Sequence, residues 1–206
     1  MLAGMGVVKR TRLAPQERRK QLVELGMMML AQRGIEQISV EEIAKKAGIS
    51  QGLLYNYFPS KREFHLAIVR HVSDGILRRL VPNLDLAPVD MLREWLGNYA
   101  DYVLDNRDGY VSILRGPASG DPELRAIADE NRTAVIDLVL TYVLTPAGEV
   151  SPATILAIRG WIAFVEETTL GWLRNPQVSR TQLIEMNVHA LSTVTLDPKL
   201  SVDVPA

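Results

Sequence analysis

The stretch SVEEIAKKAGISQGLLYNYFPSKREF, residues 39–64, decides the fold because it predicts three short helices separated by two strong stop signals. Ser39 and Glu42 have the spacing of a capping box, in which each side chain bonds a backbone N–H at the start of a helix. A helix is therefore predicted to begin near Val40. It is predicted to end at Gly48, because glycine tolerates the left-handed conformation common just past a helix end.

A second and a third helix follow within a few residues. Ser50 is suited to cap the second helix, Leu54 and Phe58 would anchor it on a core, and Pro59 ends it. The side chains left on its outer face are those of Gln51, Gly52, Leu53, Tyr55 and Asn56. Ser60 is placed to cap the third helix. Two helices joined by a short turn with glycine form a helix-turn-helix, whose second helix enters the major groove of DNA.

The outer face of this second helix suits contact with DNA. Amide side chains pair with adenine edges, glycine permits close backbone approach, and tyrosine hydroxyls and Lys61 can reach phosphates. An ordinary helical hairpin is the alternative interpretation, since capping residues and glycine stops occur in any helical protein.

The run GISQGLLYNYFPSKREF, residues 48–64, closely resembles the DNA-binding segment of TetR-type (TetR/AcrR) bacterial transcriptional repressors, whose pattern is G-x-S-x-x-x-L-Y-x-Y-F-x-S-K. With the helix before it, the resemblance covers about the first third of the chain. It implies base-reading roles for Gln51, Gly52, Leu53, Tyr55 and Asn56, and phosphate-holding roles for Ser39, Tyr57 and Lys61. Many relatives carry Thr where this chain has Leu53, so an apolar contact is available there in place of a hydroxyl contact.

Charge is distributed unevenly along the chain. Residues 1–71 carry twelve Lys and Arg residues against six Asp and Glu, whereas the remaining residues carry eleven against eighteen. A basic head on an acidic body is typical of a nucleic-acid-binding module attached to a second domain, because neutralisation of phosphates dominates affinity for DNA.

Composition excludes several other classes of protein. The chain has no cysteine, which rules out disulfides and thiolate metal sites, and its three histidines are scattered, so no metal site is expected. No apolar run reaches the roughly 18 residues of a membrane span, and the first residues lack a signal-peptide pattern. We therefore expect a cytoplasmic protein without a membrane partner or cofactor.

The chain divides into four predicted parts. Residues 1–14 form a flexible basic arm, residues 15–70 a helix-turn-helix DNA-binding domain, residues 71–197 an effector-binding and dimerisation domain, and residues 198–206 a loose tail. The helix opened by Ser60 carries apolar residues to about Val81, so the boundary falls inside a continuous helix. The strong signals beyond it are also helical, which predicts an all-α fold of about nine helices.

Residues 151–174 are apolar on most sides, so this stretch is predicted to be buried on two fronts. Small residues within it would let another helix approach closely. In the TetR-type family the last two long helices pair with those of a second subunit, and the resemblance assigns the dimer seam to Ala157, Gly160, Phe164, Gly171, Met186 and Ala190. A monomeric bundle core is the alternative.

The resemblance also implies that the middle helices enclose a cavity for a small effector. The candidate lining residues are aromatic or charged, and they are Trp95, Tyr99, Tyr102, Tyr110, Arg115, Trp161, Glu166 and Glu167. Aromatic residues at helical spacing are equally typical of an ordinary core, and Arg115 can instead form an ion pair with Glu166 or Glu167. The sequence does not decide which glutamate faces inward, because neighbours on a helix diverge by roughly 100 degrees.

These features together predict a sequence-specific, homodimeric transcriptional regulator, in the simplest case a repressor that a small, mostly apolar effector releases from a palindromic operator. An architectural DNA-binding protein without an effector is one alternative, and it would lack a cavity and strong sequence discrimination. The adjacent acids Asp129-Glu130 and Glu166-Glu167 leave an enzyme as another, although adjacent acids on a helix are usually solvated or paired. We expect no enzymatic activity.

Overall fold

The computed structural model describes residues 13–144 and 149–195, and these residues form nine α-helices and no strand. The predicted all-α class is therefore confirmed. The helices are α1 (Pro15–Leu30), α2 (Val40–Ala47), α3 (Gln51–Tyr57), α4 (Lys61–Leu77), α5 (Pro88–Asp105), α6 (Arg107–Arg115), α7 (Pro122–Leu138), α8 (Pro152–Arg174) and α9 (Arg180–Thr195). Short 3-10 turns cover Ile35–Gln37 and Pro117–Gly120, and a π-helical segment, Val139–Leu144, extends α7. The predicted tail at 198–206 and the arm up to residue 12 lie outside the described residues.

The predicted stop and start signals of the helix-turn-helix are mostly confirmed. Gly48 adopts the left-handed conformation, with φ 65° and ψ 35°, just past the end of α2. Ser50 Oγ accepts a hydrogen bond from the Leu53 N–H at 3.2 Å, and Ser60 Oγ accepts one from the Glu63 N–H at 3.1 Å. Each hydroxyl thereby satisfies a backbone donor that has no partner inside its own helix.

The predicted capping box at the start of α2 is wrong. Ser39 occupies the N-cap position, but its side chain makes no capping hydrogen bond. Glu42 instead accepts a hydrogen bond from Arg33 at 2.7 Å, and this contact lowers the pKa of the Glu42 carboxyl group. A charged partner outside the helix therefore replaces the local backbone contact that the spacing predicts.

Helix α4 ends at Leu77, about one turn earlier than the sequence indicates. The Arg79 guanidinium donates to the Gly75 carbonyl at 2.8 Å, which satisfies an acceptor in the last turn. The Val81 carbonyl, beyond the helix, accepts a hydrogen bond from Trp95 Nε1 at 3.0 Å. Tertiary contacts of the side chains thus support the early end of the helix.

One hydrophobic cluster crosses from the DNA-binding domain into the helices that follow it. Ile68 and Val69 on α4 share this cluster with Leu22 on α1, Tyr110 on α6 and Leu124 on α7. A second cluster fills the far end of the body between α5, α7, α8 and α9. The predicted boundary near residue 70 consequently lies within a packed core and not at a flexible linker.

Candidate DNA interface and effector cavity

Helix α3 is held on the DNA-binding domain by two side chains of its inner face. Leu54 is 0% exposed and Phe58 is 1% exposed. The Phe58 ring packs edge-on against Phe64 with centroids 5.0 Å apart, and the Arg19 guanidinium lies over the Phe58 ring, 4.8 Å from its centroid. Because these contacts fix the rotation of the helix, its other face is turned to solvent in a defined orientation.

The outer face of α3 carries the predicted base-reading residues, and each of these side chains is exposed. They are Gln51, Gly52, Leu53, Tyr55 and Asn56. Two of them, Leu53 and Tyr55, are large hydrophobic residues that remain 38% and 43% exposed. Exposed apolar side chains beside two amides supply both hydrogen-bonding and methyl-contacting groups, which are the groups that distinguish bases in the major groove.

The predicted phosphate-holding residues flank α3. Ser39 and Tyr57 are half-buried, and Lys61 is exposed at the start of α4. Lys61 Nζ donates to the Glu36 carbonyl at 3.1 Å, a contact that holds the ammonium group beside the 3-10 turn before α2. The exposed Lys45 adds positive charge at the end of α2. The arrangement can hold a DNA backbone on either side of the outer face of α3.

A salt bridge network joins the DNA-binding domain to the body. Arg62, in the first turn of α4, binds both carboxylate oxygens of Asp121 at 2.8 Å and also binds Glu123 at 3.0 Å. Asp121 caps α7 by accepting from the Glu123 and Leu124 N–H groups. The hydrogen bond from Arg62 is the largest cause of a lowered pKa of the Asp121 carboxyl group.

A second connection lies between α6 and the 3-10 turn that precedes α2. The Ser112 hydroxyl accepts a hydrogen bond from the Ile35 N–H at 2.9 Å and donates one to Glu36 Oε2 at 3.1 Å. A Cβ at Gly109 would lie 2.5 Å from Leu30 Cγ and 2.7 Å from the Leu30 carbonyl oxygen. The backbone of α6 therefore contacts the end of α1 directly, so closely that position 109 has no room for a side chain.

Helices α4 to α8 line a partly open cavity of about 130 Å³ in the body. Its walls are mostly apolar and include Val69, Ile76, Leu92, Ile127 and Ile162. The polar side chains that reach it are Ser73, Tyr99, Tyr110, Asn131 and Glu166. An apolar cavity with a few convergent polar groups is the usual form of a site for a small molecule.

Five of the eight predicted pocket residues line this cavity. They are Trp95, Tyr99, Tyr110, Trp161 and Glu166. The indole N–H groups of Trp95 and Trp161 donate to the backbone carbonyls of Val81 and Asn187, at 3.0 and 2.7 Å. With those donors already occupied, the two tryptophans present only apolar ring surface to a ligand.

The other three predicted pocket residues do not line the cavity. Tyr102 is buried beside the last turns of α4, where its hydroxyl approaches the Val72 carbonyl at 3.5 Å and its ring lies under the Arg79 guanidinium. Arg115 and Glu167 form an exposed ion pair with each other. Glu167 points outward while its neighbour Glu166 faces the interior, because adjacent side chains on a helix point in different directions.

Glu166 is held by a residue that sequence reasoning did not single out. Arg132, on α7, binds both oxygens of the Glu166 carboxylate at 3.1 and 2.9 Å. It also binds Asp129 at 3.2 Å. Nothing in the sequence signals this bidentate pair, because its two members are 34 residues apart and both are common on helix surfaces.

Tyr99 and Tyr110 form a part-buried polar contact in the cavity wall. Their hydroxyl groups are hydrogen-bonded to each other across α5 and α6, and their rings pack edge-on with centroids 6.0 Å apart. Burial raises the pKa of both phenols well above the ordinary value. The two hydroxyls therefore remain protonated at physiological pH and can act as hydrogen-bond donors.

The residues predicted to form the dimer seam lie on exposed parts of α8 and α9. Phe164 is 40% exposed and Met186 is 42% exposed, while Ala157 and Ala190 are half-buried. A Cβ placed on Gly160 or Gly171 would meet no atom within 4 Å. The opposite face of α8 is buried in the second cluster through Ile158, Trp161, Ile162 and Val165. Helix α8 thus has a packed inner face and an open, partly apolar outer face.

The described residues offer neither a metal site nor a membrane span. Within 13–144 and 149–195 no group of three or more His, Cys, Asp or Glu side chains is placed to hold a metal ion. None of the helices in this part of the chain combines the length and the apolar character needed to cross a bilayer.

A helix-turn-helix with an exposed polar face, packed on a helical body that contains an apolar cavity, defines a DNA-binding transcriptional regulator. Comparison with known families agrees with this class. Residues 22–68 match the family model of bacterial regulatory proteins, tetR family, and residues 88–193 match the model of the tetracyclin repressor-like C-terminal domain. The chain belongs to the TetR family, whose members are transcriptional regulators and not enzymes.

Individual relatives cover most of the chain. A tetR-family transcriptional regulator from Streptomyces coelicolor has a similar structure, with a TM-score of 0.77, 30% identity, and coverage of 93% of this chain and 84% of that one. The HTH-type transcriptional activator FasR of Mycolicibacterium smegmatis is 29% identical over 169 residues, which cover 80% of this chain and 76% of the relative. Thermus thermophilus FadR, a repressor solved in complex with lauroyl-CoA, has a TM-score of 0.62 at 19% identity and covers 91% of this chain and 99% of its own.

Proposed function

We propose that this chain is a sequence-specific regulator that binds a palindromic operator as a homodimer and is released from it by a small, mostly apolar effector. The observation that carries the proposal is the outer face of α3, where all the residues assigned to base reading are exposed on a helix anchored by the buried Leu54 and Phe58. Because it reads chromosomal DNA, the protein acts in the bacterial cytoplasm.

The open outer faces of α8 and α9 support the homodimer. The two glycines of α8, Gly160 and Gly171, leave room for the close approach of another helix, and Phe164 and Met186 supply apolar surface beside them. A twofold axis through this seam gives each dimer two copies of α3. Such a dimer binds half-sites about 34–36 Å apart, or a multiple of that spacing, which makes the operator palindromic.

The cavity supports control by an effector. At about 130 Å³ it is below the roughly 300 Å³ typical of ligand sites, so a larger ligand either pushes its walls apart or extends out through its open side. Two of those walls reach the DNA-binding domain directly. Helix α4 begins inside that domain and shares its hydrophobic cluster, and α6 contacts the domain through Ser112. A ligand that displaces these helices changes the position of α3 and thereby weakens binding to the operator. By linkage, DNA weakens ligand binding by the same factor by which the ligand weakens DNA binding. The lauroyl-CoA complex of the Thermus relative makes an acyl chain the first ligand to test.

Selection of bound sequences from a random duplex pool tests the proposal. We expect enrichment of one palindrome, bound roughly a thousandfold more tightly than scrambled DNA at fixed, near-physiological salt. Binding without enrichment would instead favour an architectural protein. Transcription from a promoter that contains the enriched site, with and without lauroyl-CoA, then tests the repressor role against the activator role that the name of the Mycolicibacterium relative describes.

A further inference from the structure

The hydroxyl pair of Tyr99 and Tyr110, one of the polar features of the cavity wall, lies where the two hydrophobic clusters of the protein meet. Tyr99 packs against both clusters, whereas Tyr110 belongs to the cluster shared with the DNA-binding domain. The wall toward the far end is apolar and is formed by Leu80, Leu92, Trp95, Leu96, Val139 and Ile162. A ligand that fills this apolar end therefore brings its polar group toward Tyr99 and Tyr110.

The tyrosine pair has a donor to offer to such a ligand. Two phenol groups carry two protons, and the hydrogen bond between Tyr99 and Tyr110 uses one of them. The other proton is left to bond an acceptor on the protein or on a ligand. A carbonyl oxygen of a ligand would accept this bond without any charged partner.

The charge of the cavity wall disfavours an anionic ligand. Among the described residues that line it, none is Lys, Arg or His, and Glu166 is the single carboxylate. The nearby Arg132 is held in a bidentate pair with Glu166 and in a further contact with Asp129. A ligand carboxylate would lose its hydration here and find no free cation, which is costly for a buried charge.

We propose that the Tyr99–Tyr110 hydroxyl pair is the polar recognition point of the cavity, and that it selects a neutral apolar molecule with one carbonyl group, such as an ester or thioester, over the corresponding carboxylate. This inference rests on the proposed function, since it names the chemistry of the effector of that regulator.

Calorimetric titration of the full chain, in the absence of DNA, tests the selection. The probes are methyl octanoate, 2-nonanone and octanoate at pH 7.5, which share a chain length and differ in the polar group. We expect the two neutral carbonyl compounds to bind at least tenfold more tightly than octanoate. In the variants Tyr99→Phe and Tyr110→Phe the affinity for methyl octanoate should fall roughly three- to tenfold, the usual range for one lost hydrogen bond.

Tyr142→Phe is the matched control, because Tyr142 packs edge-on against Trp95 but is not part of the cavity wall. It should bind methyl octanoate like the parent chain. Equal or tighter binding of octanoate, binding of no neutral probe, or equal losses in all three variants would each overturn the proposal. Operator binding by the same preparations is measured separately. A chain that selects esters but binds no specific DNA would contradict the proposed function and leave the inference about ligand selection intact.

Discussion

Ser112 accepts a 2.9 Å hydrogen bond from the backbone N–H of Ile35, although 77 residues separate the two in the chain. The bond joins α6, which forms a wall of the cavity, to the turn that leads into the helix-turn-helix. Both groups are buried, so the bond has no water to replace it. Through this hydrogen bond, a movement of α6 can act directly on the DNA-binding domain.

Removal of that hydroxyl should weaken both stability and control. We expect Ser112→Ala to lower the free energy of unfolding by about 1–3 kcal/mol, because the buried Ile35 N–H loses its acceptor. The factor by which effector reduces operator affinity should shrink as well. Urea denaturation and operator titrations with and without effector measure the two effects. Ser192→Ala is the control, since Ser192 donates only to the His189 carbonyl in its own helix, and a loss as large as that of Ser112→Ala would contradict the prediction.

Base reading and phosphate binding should separate by mutation. Asn56→Ala is expected to cost about 1–3 kcal/mol on the preferred operator and much less on scrambled DNA, because Asn56 is proposed to contact a base edge. Lys61→Ala should weaken binding to both DNAs alike and reduce the salt dependence by about one unit of slope. Fluorescence anisotropy on both duplexes at several salt concentrations measures this difference, and an equal loss on both duplexes for Asn56→Ala would refute the assignment.

The dimer seam can be tested at a glycine that has free space around it in a single chain. Gly160→Trp should leave the fold of each subunit intact, since Gly160 is exposed and a Cβ there meets no atom of its own chain within 4 Å. In the dimer it would overpack the seam at a cost of about 1–3 kcal/mol, which weakens association roughly tenfold to a hundredfold. Sedimentation equilibrium measures the change. Gly120→Trp, also in open space but in the 3-10 turn before α7 and not on α8 or α9, should not alter the dimer, and an unchanged dimer in Gly160→Trp would place the seam elsewhere.

His65 should make the stability of the DNA-binding domain depend on pH. Burial lowers the pKa of the imidazole below its ordinary value of 6.5, although its Nε2 contacts the Ile38 carbonyl at 3.2 Å. As pH falls through 6.5 the unfolded chain binds a proton before the folded chain does, so the free energy of unfolding decreases below that pH. Thermal unfolding of the parent chain and of His65→Gln between pH 7.5 and 5.5 checks this, and we expect a smaller decrease in the variant. The same decrease in both proteins would assign the effect to other groups.

The DNA-binding half was predictable from the sequence because its signals are local. Ser50, Ser60 and Gly48 each act on backbone groups a few residues away, and Leu54 with Phe58 fixes the buried side of α3 by spacing alone. The same kind of reasoning is wrong at Ser39. There the carboxylate that the local pattern requires is bound by a distant arginine, and no short-range pattern contains that information.

The cavity was less predictable because membership of its wall depends on how each helix is rotated in the bundle. Tyr99 and Tyr102 are on one helix, and Tyr102 is the more buried of the two, yet only Tyr99 reaches the cavity. Glu166 and Glu167 are adjacent and have opposite environments, one paired with Arg132 beside the cavity and the other with Arg115 at the surface. Composition identifies the candidates, but packing against four other helices selects among them.

The hydrophobic cluster that crosses residue 70 has a consequence for the construction of hybrid biosensors. Such hybrids exchange the DNA-binding domain of one regulator for that of another, which assumes that the two domains are interchangeable. In this chain a cut at residue 70 would divide the shared hydrophobic cluster. Val69 would lose Tyr110 and Leu124 as neighbours and meet whatever the donor protein supplies. A hybrid of this chain should therefore be joined only with the facing surfaces of α6 and α7 transplanted together with the head.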